Sequence, residues 1–144
     1  MTDLVKKTGS LTLDGAKKIA AAAVEKANEL NVGGAIAVVD HSGNLIYLER
    51  LEGTMPAAAQ IAIGKASTAA AFQRPTIKIE NLIQEQRLSM LVLGGITHTP
   101  YVPLMGAYPI VVDNEIVGAV AVAGAKTGEN DEIIAKNAAE TKLN

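Results

Sequence analysis

A chain of 144 residues, 49% hydrophobic and 19% charged, has the composition of an ordered globular protein and the length of one domain, expected over residues 1–144; folding at this size buries about two-thirds of the surface of the unfolded chain. A net charge of -2 leaves no electrostatic footprint for nucleic acid or an anionic membrane as main partner. The lack of cysteine excludes disulfides, iron-sulfur clusters, cysteine-ligated zinc and thiol catalysis. The first ten residues lack the apolar core of a signal peptide and no stretch is apolar enough to span a membrane, so the expectation is a soluble, cytoplasmic protein.

From Thr12, a candidate N-cap, Ala16, Ile19, Ala20, Ala23, Val24, Ala27 and Leu30 follow helical spacing, with Lys17, Lys18, Glu25 and Glu29 facing away. Asn31 and Gly33-Gly34 end this helix. Residues 35–39 and 45–51 then read as strands joined by the turn formers Asp40-His41-Ser42-Gly43-Asn44. Pro56 suits a first helical turn, and the alanines that follow predict a helix to Phe72 that is apolar nearly all round, hence buried. Pro75 stops it, and residues 77–87 predict a shorter helix with Ile79, Leu82 and Ile83 inward.

Between Ser89 and Pro109 a Gly pair, three prolines and two of the three tyrosines predict irregular structure, of the composition that often carries function. Residues 110–112 and 116–123 predict a second hairpin around Asp113-Asn114, with Asn114 suited to positive φ. The run 117–122 shows no clean alternation, as for a strand covered on both faces. Asn130 is the candidate cap of a last helix with Asp131 and Glu132 in its first turn, against the positive end of the dipole. The elements add up to an α+β fold: an antiparallel sheet of two hairpins, with room for a fifth strand, flanked by helices.

Several of these segments share an order with a known family. Val38-Val39-Asp40, the turn glycine Gly43, a strand ending in Arg50, Lys65-Ala66 and Phe72-x-x-Pro75-Thr76 come first. Pro109-Ile110, Val117-Gly118-Ala119-Val120, Gly124-Ala125 and Asp131-Glu132-x-x-Ala135 follow. In this the chain resembles the GlcG/HbpS (haem-binding, HbpS-like) family, also found as the C-terminal domain of some PduO-type cobalamin adenosyltransferases. The resemblance implies the same α+β fold, homo-oligomerisation, and haem or another small ligand. The chain departs from the family pattern at Arg50-Leu51-Glu52-Gly53, where Arg-Met-Asp-Gly is usual. It departs again at Met105-Gly106-Ala107-Tyr108-Pro109, where bulky residues replace a glycine-rich approach, and at His98, to which no family role transfers.

His98 lies beside hydroxyls in Ile96-Thr97-His98-Thr99-Pro100-Tyr101. Its imidazole can ligate haem iron, act as general base, or simply bond backbone in its loop. His41 sits in a tight turn, where solvent is its default partner. Lys65 is the only charge between Glu52 and Arg74, with Thr68 and Phe72 on its helical face. It can bind a carboxylate or haem propionate, serve as a base, or form a structural pair with Asp40, Glu49 or Glu52. Arg50 can fork onto a carboxylate or tie its strand end to the next helix, and Asp40 fits backbone bonding in its own turn. Tyr101, Met105 and Tyr108 are candidates to line an apolar pocket, with Lys65 and Arg50 as its positive side and residues 97–105 as its other wall.

Three functional classes remain at this stage. The first is a ligand-binding homo-oligomer, with haem or a carboxylate-bearing small molecule as ligand. The second is a cofactor-independent lyase or isomerase on a small organic acid in a catabolic pathway, with Lys65 or Arg50 on the carboxylate and His98 or Tyr101 moving a proton. The third is a non-catalytic accessory or assembly protein in which the Ala-rich helix is a subunit contact. A visible-spectrum haemin titration separates the first from the others.

Overall fold

Side-chain size alternates along the two central strands, and this alternation sorts the molecule into layers. The computed structural model describes residues 3–144. Its elements are α1 (Leu13–Glu29), β1 (Ala35–Asp40), β2 (Leu45–Arg50), α2 (Ala57–Phe72), α3 (Thr76–Gln84), a 3-10 helical stretch (Leu88–Gly95), β3 (Ala107–Val112), β4 (Glu115–Ala123) and α4 (Gly128–Ala139). The fold is α+β, with four antiparallel strands in the order β2-β1-β4-β3. No fifth strand joins the sheet among the described residues.

On one face Ile36, Val38, Ile110, Val120 and Val122 pack with the buried stripes of α1 and α4. On the other, Ala35, Ala37, Val39, Ala107, Ala119, Ala121 and Ala123 meet Ala58, Ala62, Ala66 and Ala69 of α2. The alternation that hydropathy hides in β4 is therefore one of volume, with valine toward two helices and alanine toward one. Small side chains on both sides let α2 lie close against the sheet, as the dense packing of interiors demands. Part of the outer side of α2 is covered by the chain itself, since Gly64 lies so close to Val102 that a Cβ there has no room. Much of the Ala-rich helix is thus packed within the chain, with Ala58 and Ala69 fully buried, while Ala57, Gln60 and Ala71 stay exposed.

Local chemistry explains several element ends. Thr12 caps α1 by accepting the Gly15 N–H at 3.1 Å. Asp113 and Asn114, with φ of 51° and 64°, form the two-residue turn of the second hairpin, as a primed turn requires. At α4 the cap is Thr127, not Asn130: the Thr127 hydroxyl accepts the Asn130 N–H at 3.1 Å, and the Asn130 amide turns back to Ala125 O at 2.9 Å. An extended Thr three residues ahead of that N–H has the reach of an N-cap. β3 begins at Ala107 and contains Pro109, which an edge strand tolerates. The segment expected to be irregular contains the 3-10 stretch.

Candidate functional site

At the open end of the β3–β4 pair the ladder is half broken. The Val122 N–H still donates to Gly106 O at 2.9 Å, but the reciprocal bond is missing. Instead the Lys65 ammonium donates to Val122 O at 2.9 Å, and the Gly106 N–H donates to Glu132 Oε1 at 2.9 Å. Two side chains thus replace one backbone rung, which satisfies the requirement that buried backbone groups be paired.

Lys65 is only 3% exposed, and its ammonium lies 3.1 Å from Asp131 Oδ2. The second oxygen of Asp131 accepts the Ala125 N–H at 2.9 Å. The pairing partner of Lys65 is therefore Asp131 rather than Asp40, Glu49 or Glu52. Asp131 also lies in the first turn of α4, together with Glu129. Burial pushes its carboxyl above the ordinary range, against the pull of the Lys65 charge and the Ala125 N–H. Beside it, Tyr108 donates a short hydrogen bond to Glu132 Oε2. Burial, then that bond and the Glu132 charge, push the Tyr108 hydroxyl well up, so it stays protonated. Gly106, at φ 113°, threads this cluster; a Cβ there would sit 2.9 Å from Lys65 Nζ and 2.8 Å from Val122 O.

The other sequence candidates divide between scaffold and surface. Thr68 donates to Gly64 O at 2.7 Å and accepts the Val102 N–H at 2.8 Å, which pins residues 97–105 against α2. Phe72 packs on Tyr101 with ring centroids 5.4 Å apart, and the Tyr101 hydroxyl donates to Met90 O at 2.6 Å. Burial raises the Tyr101 pKa. Met105 lies so near Gly128 that a Cβ there would stand 2.9 Å from its sulfur. Arg50 is exposed and donates to Thr54 O at 3.0 Å, which ties the end of β2 to the approach of α2. Asp40 accepts the Ser42 and Asn44 N–H groups inside its own turn. Arg50 and Lys65 lie toward the same end of the sheet but engage different partners.

His98 is exposed, and its imidazole makes no hydrogen bond or ion pair among the described residues. Its segment carries a series of uncovered apolar side chains: Leu88 and Leu91 are each about half exposed, Val92 71% and Ile96 77%. Composition alone had marked the segment but not which of its residues face out. Among the clefts formed by the described residues, five of ≈ 270 to ≈ 530 Å³ are lined by none of Arg50, Lys65, Thr68, Phe72, His98, Tyr101 or Met105. No group of three or more potential metal-ligating residues converges among the described residues, and no helix there is long and apolar enough to cross a membrane.

Residues 11–140 match the family model described as "Haem degrading protein HbpS-like". The chain belongs to the HbpS-like family. Within reach of this family lies the protein GlcG of Escherichia coli K12, 39% identical over 107 residues, which are 74% of this chain and 76% of GlcG. In structure the chain is similar to a double mutant of HbpS from Streptomyces reticuli, with a TM-score of 0.80 and 32% identity over 96% of this chain and 91% of that one. It is also similar to a PduOC–haem complex, with a TM-score of 0.80 and 25% identity over 90% and 93% of the two chains. The HbpS-like assignment thus rests on sequence and fold together.

Proposed function

We propose that this HbpS-like chain is a cytoplasmic haem-binding protein that works as a homo-oligomer, with His98 and the apolar segment 88–104 as its ligand-facing surface. The observation that carries the reading is the coincidence of an unpaired imidazole with uncovered apolar side chains in one segment, in a fold shared with a haem complex. A haem site needs an axial donor and walls that exclude water, and His98 with Leu91, Val92 and Ile96 fits that requirement in kind. One copy supplies only one wall, so enclosure falls to a second copy. Bound haem supplies an iron centre; the chain supplies the imidazole, the apolar wall and the scaffold that holds both.

In this reading Thr68, Phe72, Tyr101 and Met105 position the segment that carries His98. Lys65 and Arg50 hold the sheet end rather than the ligand, because each cation is already engaged by groups of the chain. A role for Lys65 as base or carboxylate ligand requires breaking a buried pair, which costs more than a charged hydrogen bond returns. Haemin titration of the purified apoprotein, followed in the visible spectrum, tests the reading. A saturable Soret shift is expected, and His98→Ala should change its position or abolish it. A shift that is the same in His98→Ala overturns the assignment of His98, and the absence of any shift overturns haem binding.

A further inference from the structure

The five clefts differ in the balance of charge along their walls. Lys136 and Lys142 share one with Asp113 and Glu140, Lys18 shares a second with Asp14, Lys126 shares a third with Asp131, and Glu52 is the only charged residue of a fourth. The fifth, of ≈ 270 Å³, sets Lys6, Lys7 and His41 against the single carboxylate of Glu115. Four separate pieces of the chain build it. Asp40 stands opposite Gly118 in the β1–β4 register, so the turns of both hairpins come to one end of the sheet, and Gln73, which closes α2, lines the same cleft. Residues 6–8 are held over this end by two bonds just beyond them: the Leu11 N–H donates to Val117 O at 3.0 Å, and the His41 N–H donates to Ser10 Oγ at 3.1 Å. Thr8, Gln73 and Asn114 add a hydroxyl and two carboxamides. Among the described residues neither Lys6 nor Lys7 forms an ion pair, and the His41 imidazole makes no hydrogen bond. Glu115 lies toward Gly9, where a Cβ would stand 3.7 Å from its Oε2, and pairs with neither lysine.

We infer that this cleft binds a phosphate group, as the free anion or as the head of a small phosphate monoester. The chain as a whole carries a net charge of -2, yet here unpaired positive groups converge in one concavity, and a cleft lined by one sign of charge concentrates ions of the other. The donors decide which anion. Two ammonium groups, an imidazole, a hydroxyl and two carboxamide NH2 groups border the same small space. A carboxylate offers two oxygens, whereas a phosphate offers three strong acceptor oxygens and a charge of about -1.5 to -2 near neutral pH, so it engages more of these donors at once. A volume below the roughly 300 Å³ at which drug-sized ligands begin to fit restricts the ligand to such a small group. The cleft shares no residue with the segment 88–104, and the inference stands apart from haem binding.

Inorganic phosphate is the probe, titrated into the full chain at constant ionic strength against chloride while the backbone amides are followed by NMR. The resonances of Lys6, Lys7, Thr8, His41, Gln73 and Asn114 should move along one saturating curve in phosphate and stay in place in chloride. Acetate should bind more weakly than phosphate, as its two oxygens require. Lys6→Gln and Lys7→Gln combined in one chain remove both ammonium groups from exposed positions, so the fold is kept, and the double variant should bind phosphate about tenfold more weakly. Glycerol phosphate separates the two sources: tighter binding than inorganic phosphate assigns a monoester, and equal or weaker binding assigns the free anion. Shifts that grow linearly without saturating, that arise equally in chloride or acetate, or that persist unchanged in the double variant overturn the site.

Discussion

Lys65→Met keeps most of the apolar stem of Lys65 and deletes its charge in a place where nothing can replace it. The ammonium donates to Asp131 Oδ2 and to Val122 O, and both acceptors lie in the interior. Removing one partner of a buried pair costs about 3–5 kcal/mol, because the other charge is left uncompensated. Against a total stability of about 5–15 kcal/mol for a native domain, that is about a fifth or more of the whole. At about 2–4 °C per kcal/mol for a chain of this size, the melting temperature should fall by about 10 °C. Urea denaturation of both proteins at pH 7 measures the difference directly. The loss should shrink in acid, where the stranded Asp131 carboxyl takes up a proton. A loss below about 1 kcal/mol, the level of an exposed pair, accompanied by weakened binding of a carboxylate ligand, would refute the reasoning and place the ammonium in a ligand site.

Asp131 titrates with the sign opposite to an ordinary salt-bridged carboxylate: its folded pKa is raised by burial. Its contribution to stability is therefore fully present below the unfolded value of about 4 and is lost as pH rises through the raised folded value; Asp131→Asn should flatten that part of a stability-against-pH curve. Gly106→Ala meets both a positive φ and two polar atoms within 2.9 Å, so it should cost more than the roughly 1–3 kcal/mol of backbone strain alone, read by denaturant midpoint. Thr68→Val leaves the Val102 N–H without its acceptor at 2.8 Å and should cost about 1–3 kcal/mol, with faster proteolysis in residues 97–105; an unchanged cleavage rate would show that the hydroxyl does not pin the segment. Ala58→Asp and Ala69→Asp should unfold the chain rather than dissociate it, since both sites are fully buried; a folded monomer from either would contradict the packing of α2.

What the sequence made legible was local. Thr12, Gly43 and Asp113-Asn114 announced a cap and two turns, and the order of the elements followed from periodicity and punctuation. The Ala-rich helix was readable as buried but not as to what buries it, because the answer lies in the alternation of alanine and valine along β1 and β4. Hydropathy treats those two residues as nearly alike, and packing does not. Pro109 marked the end of an irregular stretch in the sequence and turned out to lie inside an edge strand, where its missing N–H costs nothing. The partner of Lys65 could not be read, since Asp131 is 66 residues away and the need for a cation arises from a broken rung between two other strands. His98 was legible only as a residue type in a promising composition; its exposure depends on Thr68 and Tyr101 fixing the segment around it.

Haem held by an assembly of this chain should be visible in one sedimentation-velocity run recorded at the Soret wavelength and in the protein band, which reads haem binding and assembly together. A haemin-loaded sample should sediment as one oligomeric boundary carrying both absorbances, with the Soret signal saturating as haemin is added. Haem absorbance left in the meniscus, or travelling with a monomer, would contradict it.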